Sequence, residues 1–211
     1  MNELLLQLAV TAPVLLFSMT CHEVSHGYMA YRLGDPTAKN LKRLSLNPLQ
    51  HLDRLGTLML AVTFLFSNGA MLFGWAKPVP VNPGYFKSQQ YGMMWVGMAG
   101  PAANLVLAAL AALVLHILYL YPADVGELLI NSIFRIFQLN VILMVFNLIP
   151  VPPLDGSRIA GALMPPKTYA KWVQLDRYGM LFVLVLLMVL INTGGLSVIL
   201  RPIYRVFLPG F

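Results

Sequence analysis

Apolar runs long enough to cross a bilayer leave this chain few folds to choose from. Residues 4–31, 92–121, 128–149 and 178–200 each offer the 20 or so mainly apolar positions that a spanning helix needs. Of the whole chain, 58% is hydrophobic and 10% charged, where a soluble domain carries roughly 25% charged residues. In hydrocarbon every backbone N–H and C=O must be satisfied within the chain, which restricts the runs to helices. The sequence therefore predicts an all-α integral membrane protein, a polytopic helix bundle forming one membrane-embedded domain over residues 1–211. Met1-Asn2-Glu3 is acidic where a removable signal would be basic, so the first run is expected to be retained.

The net charge of +6 sits in short clusters between the runs. That pattern suits cytoplasmic membrane flanks rather than nucleic acid. Arg32, Lys39, Lys42, Arg43 and Arg54 mark one basic loop; Arg158, Lys167, Lys171 and Arg177 mark the other. If both loops face the cytoplasm, residues 55–87 must leave and re-enter the same face. The apolar stretch 55–73 then forms a re-entrant helix, and the proline-rich, alternating 74–86 an edge-strand β-hairpin. The fold is four full spans plus this re-entrant segment; the alternative is five spans, with 55–73 crossing and the hairpin outside.

His22-Glu23-Val24-Ser25-His26 lies in the second half of the first run. Histidines at i and i+4 share one helix face, within reach of one ion. This H-E-x-x-H pattern is a zinc-hydrolase signature in which the glutamate serves as general base. Ionisable groups at bilayer depth are costly and mark functional sites. His26 precedes Arg32 by six residues, roughly 9 Å at helical rise, which sets the motif near the cytoplasmic end.

Catalytic zinc takes a third protein ligand and keeps one position open. Six residues past His26, where a metzincin has histidine, stands Arg32. Glu3 and Glu127 fall at the far end of their runs, as does His116. His51, Asp35, Asp53 and Asp176 sit in loops, and Asp124 lies beyond the opposite end. Asp155 follows the third run directly, in Asn147-Leu148-Ile149-Pro150-Val151-Pro152-Pro153-Leu154-Asp155-Gly156. The prolines break helix there and Gly156 permits close approach. A turn aspartate capping the next helix fits the same spacing. Asn147 and Asn104 are amides in apolar helices, each able to donate to an oxyanion or to join helices. Small residues at 97, 99, 100, 102 and 103 let the second run approach its neighbours. His51 with Asp53 is expected to stabilise its loop rather than act as a relay.

Taken together these residues resemble the site-2 protease family of zinc intramembrane metalloproteases, in its compact bacterial branch without PDZ or CBS domains. His22 to His26 is similar to the family's first motif, Asn147 to Gly156 to its Asn-x-x-Pro-x-Pro-x-Leu-Asp-Gly motif, and Gly97 to Asn104 to its Gly-Pro-x-x-Asn motif. The strings Asn47 to Asp53 and Phe73 to Pro83 also look like the compact branch, although Arg54 stands where the family often has proline. The resemblance implies one Zn2+ per chain, held by His22, His26 and Asp155, with Glu23 as base and Asn147 the better placed amide at the scissile carbonyl. It also implies single-span membrane proteins as substrates, often trimmed first by a site-1-type protease, and a place in the inner (cell) membrane with the site toward the cytoplasm. Rival readings are a metal or ion transporter, a diiron hydroxylase, and a catalytically inactive scaffold binding membrane segments. Four histidines are too few for the diiron site, and a transporter leaves Glu23 without a task.

Overall fold

A computed structural model describes residues 2–67, 74–121 and 125–208. Asp124 and the end of the 55–73 run lie outside them. The helices are α1 (Asn2–Arg32), α2 (Thr37–Asn40), α3 (Arg54–Phe66), α4 (Gln89–Leu120), α5 (Gly126–Asn147), α6 (Asp155–Ala162), α7 (Pro166–Val173), α8 (Gly179–Thr193) and α9 (Gly195–Phe207). Four stretches are long and apolar enough to cross a membrane: Leu5–Arg32, Gln89–Leu120, Gly126–Asn147 and Pro166–Leu190. No more than 28% of the most apolar window of any of them is buried within the protein. Their remaining apolar surface needs lipid to cover it. The polytopic all-α bundle expected from the sequence is what forms.

At the centre, α4 lies along both α1 and α5. Its small side chains make this possible: Ala108, Ala111 and Ala112 face Phe137, Val141 and Val145 of α5 in the main core cluster. Phe137 is fully buried and stacks at 5.3 Å from Tyr204 of α9. The last apolar run is thus not one span to residue 200. It breaks at Gly194, whose φ of 64° is a left-handed conformation that glycine adopts at little cost. Helix α9 then turns back onto α5, contributing Leu200 to the core, and Leu208 just past its end joins it there.

The re-entrant expectation is met in outline and corrected in detail. Helix α3 has 13 residues, about 20 Å at helical rise, short of the 30 Å or so of hydrocarbon. Leu52 before it and Ala76 after it form an antiparallel bridge, so the chain leaves and returns at one end. No hairpin forms among the described residues; 74–82 is a single extended stretch with that one bridge. Pro78, Pro80 and Pro83 have no N–H to give to a ladder. Other elements hold the stretch instead. Lys77 N–H donates to the His51 carbonyl at 2.7 Å, Arg43 donates to the Lys77 carbonyl at 2.9 Å, and Asn82 N–H donates to Asp35 Oδ2 at 2.6 Å. Asp35, fully buried, also caps Thr37 through its other oxygen.

His51 and Asp53 stabilise their loop, as expected. His51 donates from Nε2 to the Ser45 carbonyl at 2.8 Å, and Asp53 accepts from Gly56 N–H at 2.8 Å, capping α3. Arg54 takes the first helical position, which proline would suit equally.

Candidate metal centre

Three side chains from distant stretches meet where α1, α4 and α6 converge. His22 Nε2 and His26 Nε2 are 3.0 Å apart, and Asp155 Oδ2 lies 3.2 Å from the first and 3.3 Å from the second. Both histidines are buried at 8% exposure, and the Asp155 side chain is 18% exposed although its Oδ2 is buried. Among the described residues this is the one group of three such side chains able to share a metal ion.

The second nitrogen of each ring settles what the first can do. His26 Nδ1–H donates to the Val96 carbonyl of α4 at 2.7 Å. His22 is set by a longer chain of bonds. The Asn140 amide spends its two hydrogens on the Ile136 carbonyl at 2.8 Å and on Ser18 Oγ at 2.9 Å. Its oxygen must then face Asn104 Nδ2, at 2.8 Å. That leaves Asn104 Oδ1 toward His22 Nδ1, at 2.6 Å, so this ring nitrogen carries the hydrogen. Both Nε2 atoms therefore present lone pairs to a carboxylate oxygen that no hydrogen-bond donor reaches. Three facing lone pairs repel unless a cation lies among them. A tetrahedral zinc with bonds of about 2.0–2.1 Å holds its ligands about 3.3 Å apart; the two separations to Asp155, 3.2 and 3.3 Å, match that spacing, and the two ring nitrogens at 3.0 Å lie slightly closer. The residues fit zinc, and the bonded Nδ1 atoms provide the outer support that metal-binding histidines use.

Local sequence explains each placement. The i, i+4 spacing puts the two imidazoles on one face of α1. Residues 148–154 make no regular helix, and Asp155 begins α6, where a carboxylate also meets the positive end of the helix. Gly156 lets the loop fold over that start: a Cβ there would lie 2.2 Å from the Leu148 carbonyl. Gly97 and Gly100 let α4 press against the centre. A Cβ on Gly97 would be 3.0 Å from the Asp155 carbonyl, and one on Gly100 would be 2.5 Å from both imidazoles. Gly100→Ala is expected to keep the helix content and lower zinc retention, checked by metal analysis of the purified variant beside its circular dichroism.

Glu23 is half-buried beside the pair and accepts from Val79 N–H at 2.9 Å through Oε2. The extended stretch thus passes directly over the motif, with Val79 packed where Gly27 leaves room. Asn104 is fully buried against the Nδ1 side of His22, its oxygen on that ring and one amide hydrogen on Asn140, an arrangement that joins α1, α4 and α5. Asn147 ends α5, donates one hydrogen to the Leu143 carbonyl at 3.0 Å, and keeps its other hydrogen. Asn140 and Ser18 were not singled out by the sequence reading. Their only signal was polarity within apolar helices.

Fold and site define a class: a polytopic membrane bundle with a His–His–Asp centre and an adjacent carboxylate. The family model described as Peptidase family M50 matches residues 122–190. A Bacillus subtilis (strain 168) protein called "Putative zinc metalloprotease YwhC" is 41% identical over 176 residues, covering 82% of this chain and 77% of that protein. "Putative zinc metalloprotease Rip2" of Mycolicibacterium smegmatis is 35% identical over 82% of this chain and 64% of its own length. No solved structure matches the chain. The chain belongs to peptidase family M50, the site-2 protease family.

Proposed function

We propose that this protein is a zinc-dependent endopeptidase that hydrolyses peptide bonds in or near transmembrane segments of other membrane proteins. The observation that carries this reading is the convergence of His22, His26 and Asp155 beside Glu23 within a bundle built to span a bilayer. Zinc, when bound, polarises a carbonyl and acidifies water. His22 and His26 are its nitrogen ligands and Asp155 its oxygen ligand, on three lone pairs that nothing else in the protein satisfies.

Glu23 moves the proton. Val79 N–H holds Oε2, which leaves Oε1 to take a proton from the attacking water and return it to the leaving amine. Asn147 Nδ2, with one hydrogen still unused, steadies the oxyanion. Asn104, Asn140 and Ser18 keep His22 in the tautomer that can bind metal. The substrates are single-span proteins, some first cut by a site-1-type protease. A helical substrate must unwind locally to expose its carbonyls. The extended 76–82 stretch lies over Glu23, where an unwound segment would have to settle.

Both basic loops lie at the end of the bundle that holds the metal centre, which supports a cell-membrane protein with its site toward the cytoplasm. Reconstituted with a single-span substrate, the protein should release two fragments, stop when a chelator strips its metal, and resume on adding zinc. Cleavage that continues after metal analysis shows an empty protein would overturn the reading.

A further inference from the structure

Two cations at the metal-centre end of the bundle have no task in proteolysis. Helix α1 ends there at Arg32 and α4 begins there at Gln89. Between these helix ends lies a pocket of about 370 Å³, lined by exposed Arg32, Lys87, Tyr91 and Trp95 and by buried Phe86 and Gly92. Both helices are long and apolar enough to cross a membrane. The place where one span ends and its neighbour starts belongs to the headgroup level. Neither cation has an ion-pair partner among the described residues. The carboxylates of this end are committed elsewhere: Glu23 to Val79, Asp35 to Thr37 and Asn82, Asp53 to Gly56, and Asp176 to Arg158, while Asp155 faces the two histidines. Glu3 and Glu127 stand in the first turns of α1 and α5, at the opposite end of the bundle.

Tyr91 and Trp95 are one turn apart on α4, and such aromatic residues collect at membrane–water interfaces. Past them an exposed apolar stripe continues along the helix through Met98, Ala102, Leu105 and Val106. Trp95 to Val106 is eleven residues, about 16 Å at helical rise and close to half of the 30 Å or so of hydrocarbon. Cations at the helix end, an aromatic collar, then an apolar track one leaflet deep match a lipid and not a soluble anion. The track also faces away from the metal centre. Tyr91 precedes Gly100, which presses on His22 and His26, by nine residues. That is about two and a half turns, so the Cα–Cβ directions at 91 and 100 are opposite. A substrate segment on this face could not bring its backbone to the metal centre, whereas a lipid has no such need.

We propose that this pocket is a binding site for one anionic phospholipid of the surrounding leaflet. Its phosphate lies between Arg32 and Lys87, and an acyl chain follows Trp95, Met98, Leu105 and Val106. Basic pockets between spanning helices suit such headgroups. A zwitterionic head would bring its own cation to a site with no free carboxylate to receive it, so the pocket selects net negative charge.

The test uses no substrate cleavage, so it can fail independently of the protease reading. Full-length protein in phosphatidylcholine nanodiscs receives increasing fractions of brominated phosphatidylglycerol or, in parallel, brominated phosphatidylcholine. Bromine quenches nearby indoles, and the part due to Trp95 is the difference between wild type and Trp95→Phe. Half-maximal quenching of Trp95 should need about 30-fold less phosphatidylglycerol than phosphatidylcholine, the scale for two basic residues at an anionic surface. Arg32→Gln/Lys87→Gln protein should lose that preference with its zinc content unchanged as evidence of folding. Lys167→Gln/Lys171→Gln protein, which gives up the same net charge on α7, should keep it. Equal quenching by the two lipids would overturn the proposal, as would the same loss in both double variants, which would mean a diffuse surface potential. Relief of the quenching by millimolar inorganic phosphate would overturn it too, by making the pocket a site for soluble anions. Relief by a single-span peptide with an acidic flank would do the same, by making it a substrate site.

Discussion

Glu23→Gln protein is expected to hold zinc as the wild type does and to lose about 10²–10⁴-fold in kcat, the range for removing a general acid–base. The substitution is close to silent for structure. Glutamine's oxygen can accept from Val79 N–H as the carboxylate does now at 2.9 Å, so the extended stretch keeps its place over α1. Glutamine cannot take a proton from water at neutral pH, and that is the function withdrawn. The discriminating measurement is single-turnover cleavage of a reconstituted substrate, with zinc counted in the same sample. Near-wild-type turnover would move the base to another group. Loss of zinc together with activity would mean that Glu23 supports the metal rather than the water.

What the sequence disclosed follows from how local each constraint is. The i, i+4 imidazoles and the helix-breaking prolines before Asp155 are short-range features, so they were legible without coordinates. The small residues at 97 and 100 announced close packing as well, because only a missing side chain lets backbone approach. The polar chain behind His22 is different. Ser18, Asn104 and Asn140 come from α1, α4 and α5 and meet only once the bundle is packed. Polar residues such as Asn131 and Gln138 in the same apolar helix carry the same signal and go elsewhere. The break at Gly194 did have a local signal, since paired glycines punctuate helices. The apolar run around them hid it. The hairpin expectation weighed alternation above donor count. Three prolines within 78–83 leave too few N–H groups for a ladder, so the stretch is fastened from outside by Arg43, Asp35 and the His51 carbonyl.

Asp155→Ala should separate the two explanations that sequence alone left open for this residue. As a ligand, its loss leaves two imidazoles for an ion that prefers three protein ligands, and zinc affinity should fall by more than about 100-fold, beyond the 10–100-fold effect of losing an outer support. As a turn residue, its loss should lower stability at constant metal. The structure weighs against the second explanation. Asp155 is the first residue of α6 and its side chain caps no backbone N–H, the preceding Leu154 standing at the cap. Its Oδ2 is buried, is reached by no hydrogen-bond donor and lies 3.2 and 3.3 Å from the two ring nitrogens. The variant should insert with the helix content of the wild type and bind little zinc. Asp53→Ala supplies the contrast. Asp53 does cap its helix, accepting from Gly56 N–H at 2.8 Å, and losing that cap should cost about 1 kcal/mol of stability while zinc stays bound. Full zinc occupancy in Asp155→Ala would place the third ligand elsewhere and remove the geometric basis for proteolysis at this centre.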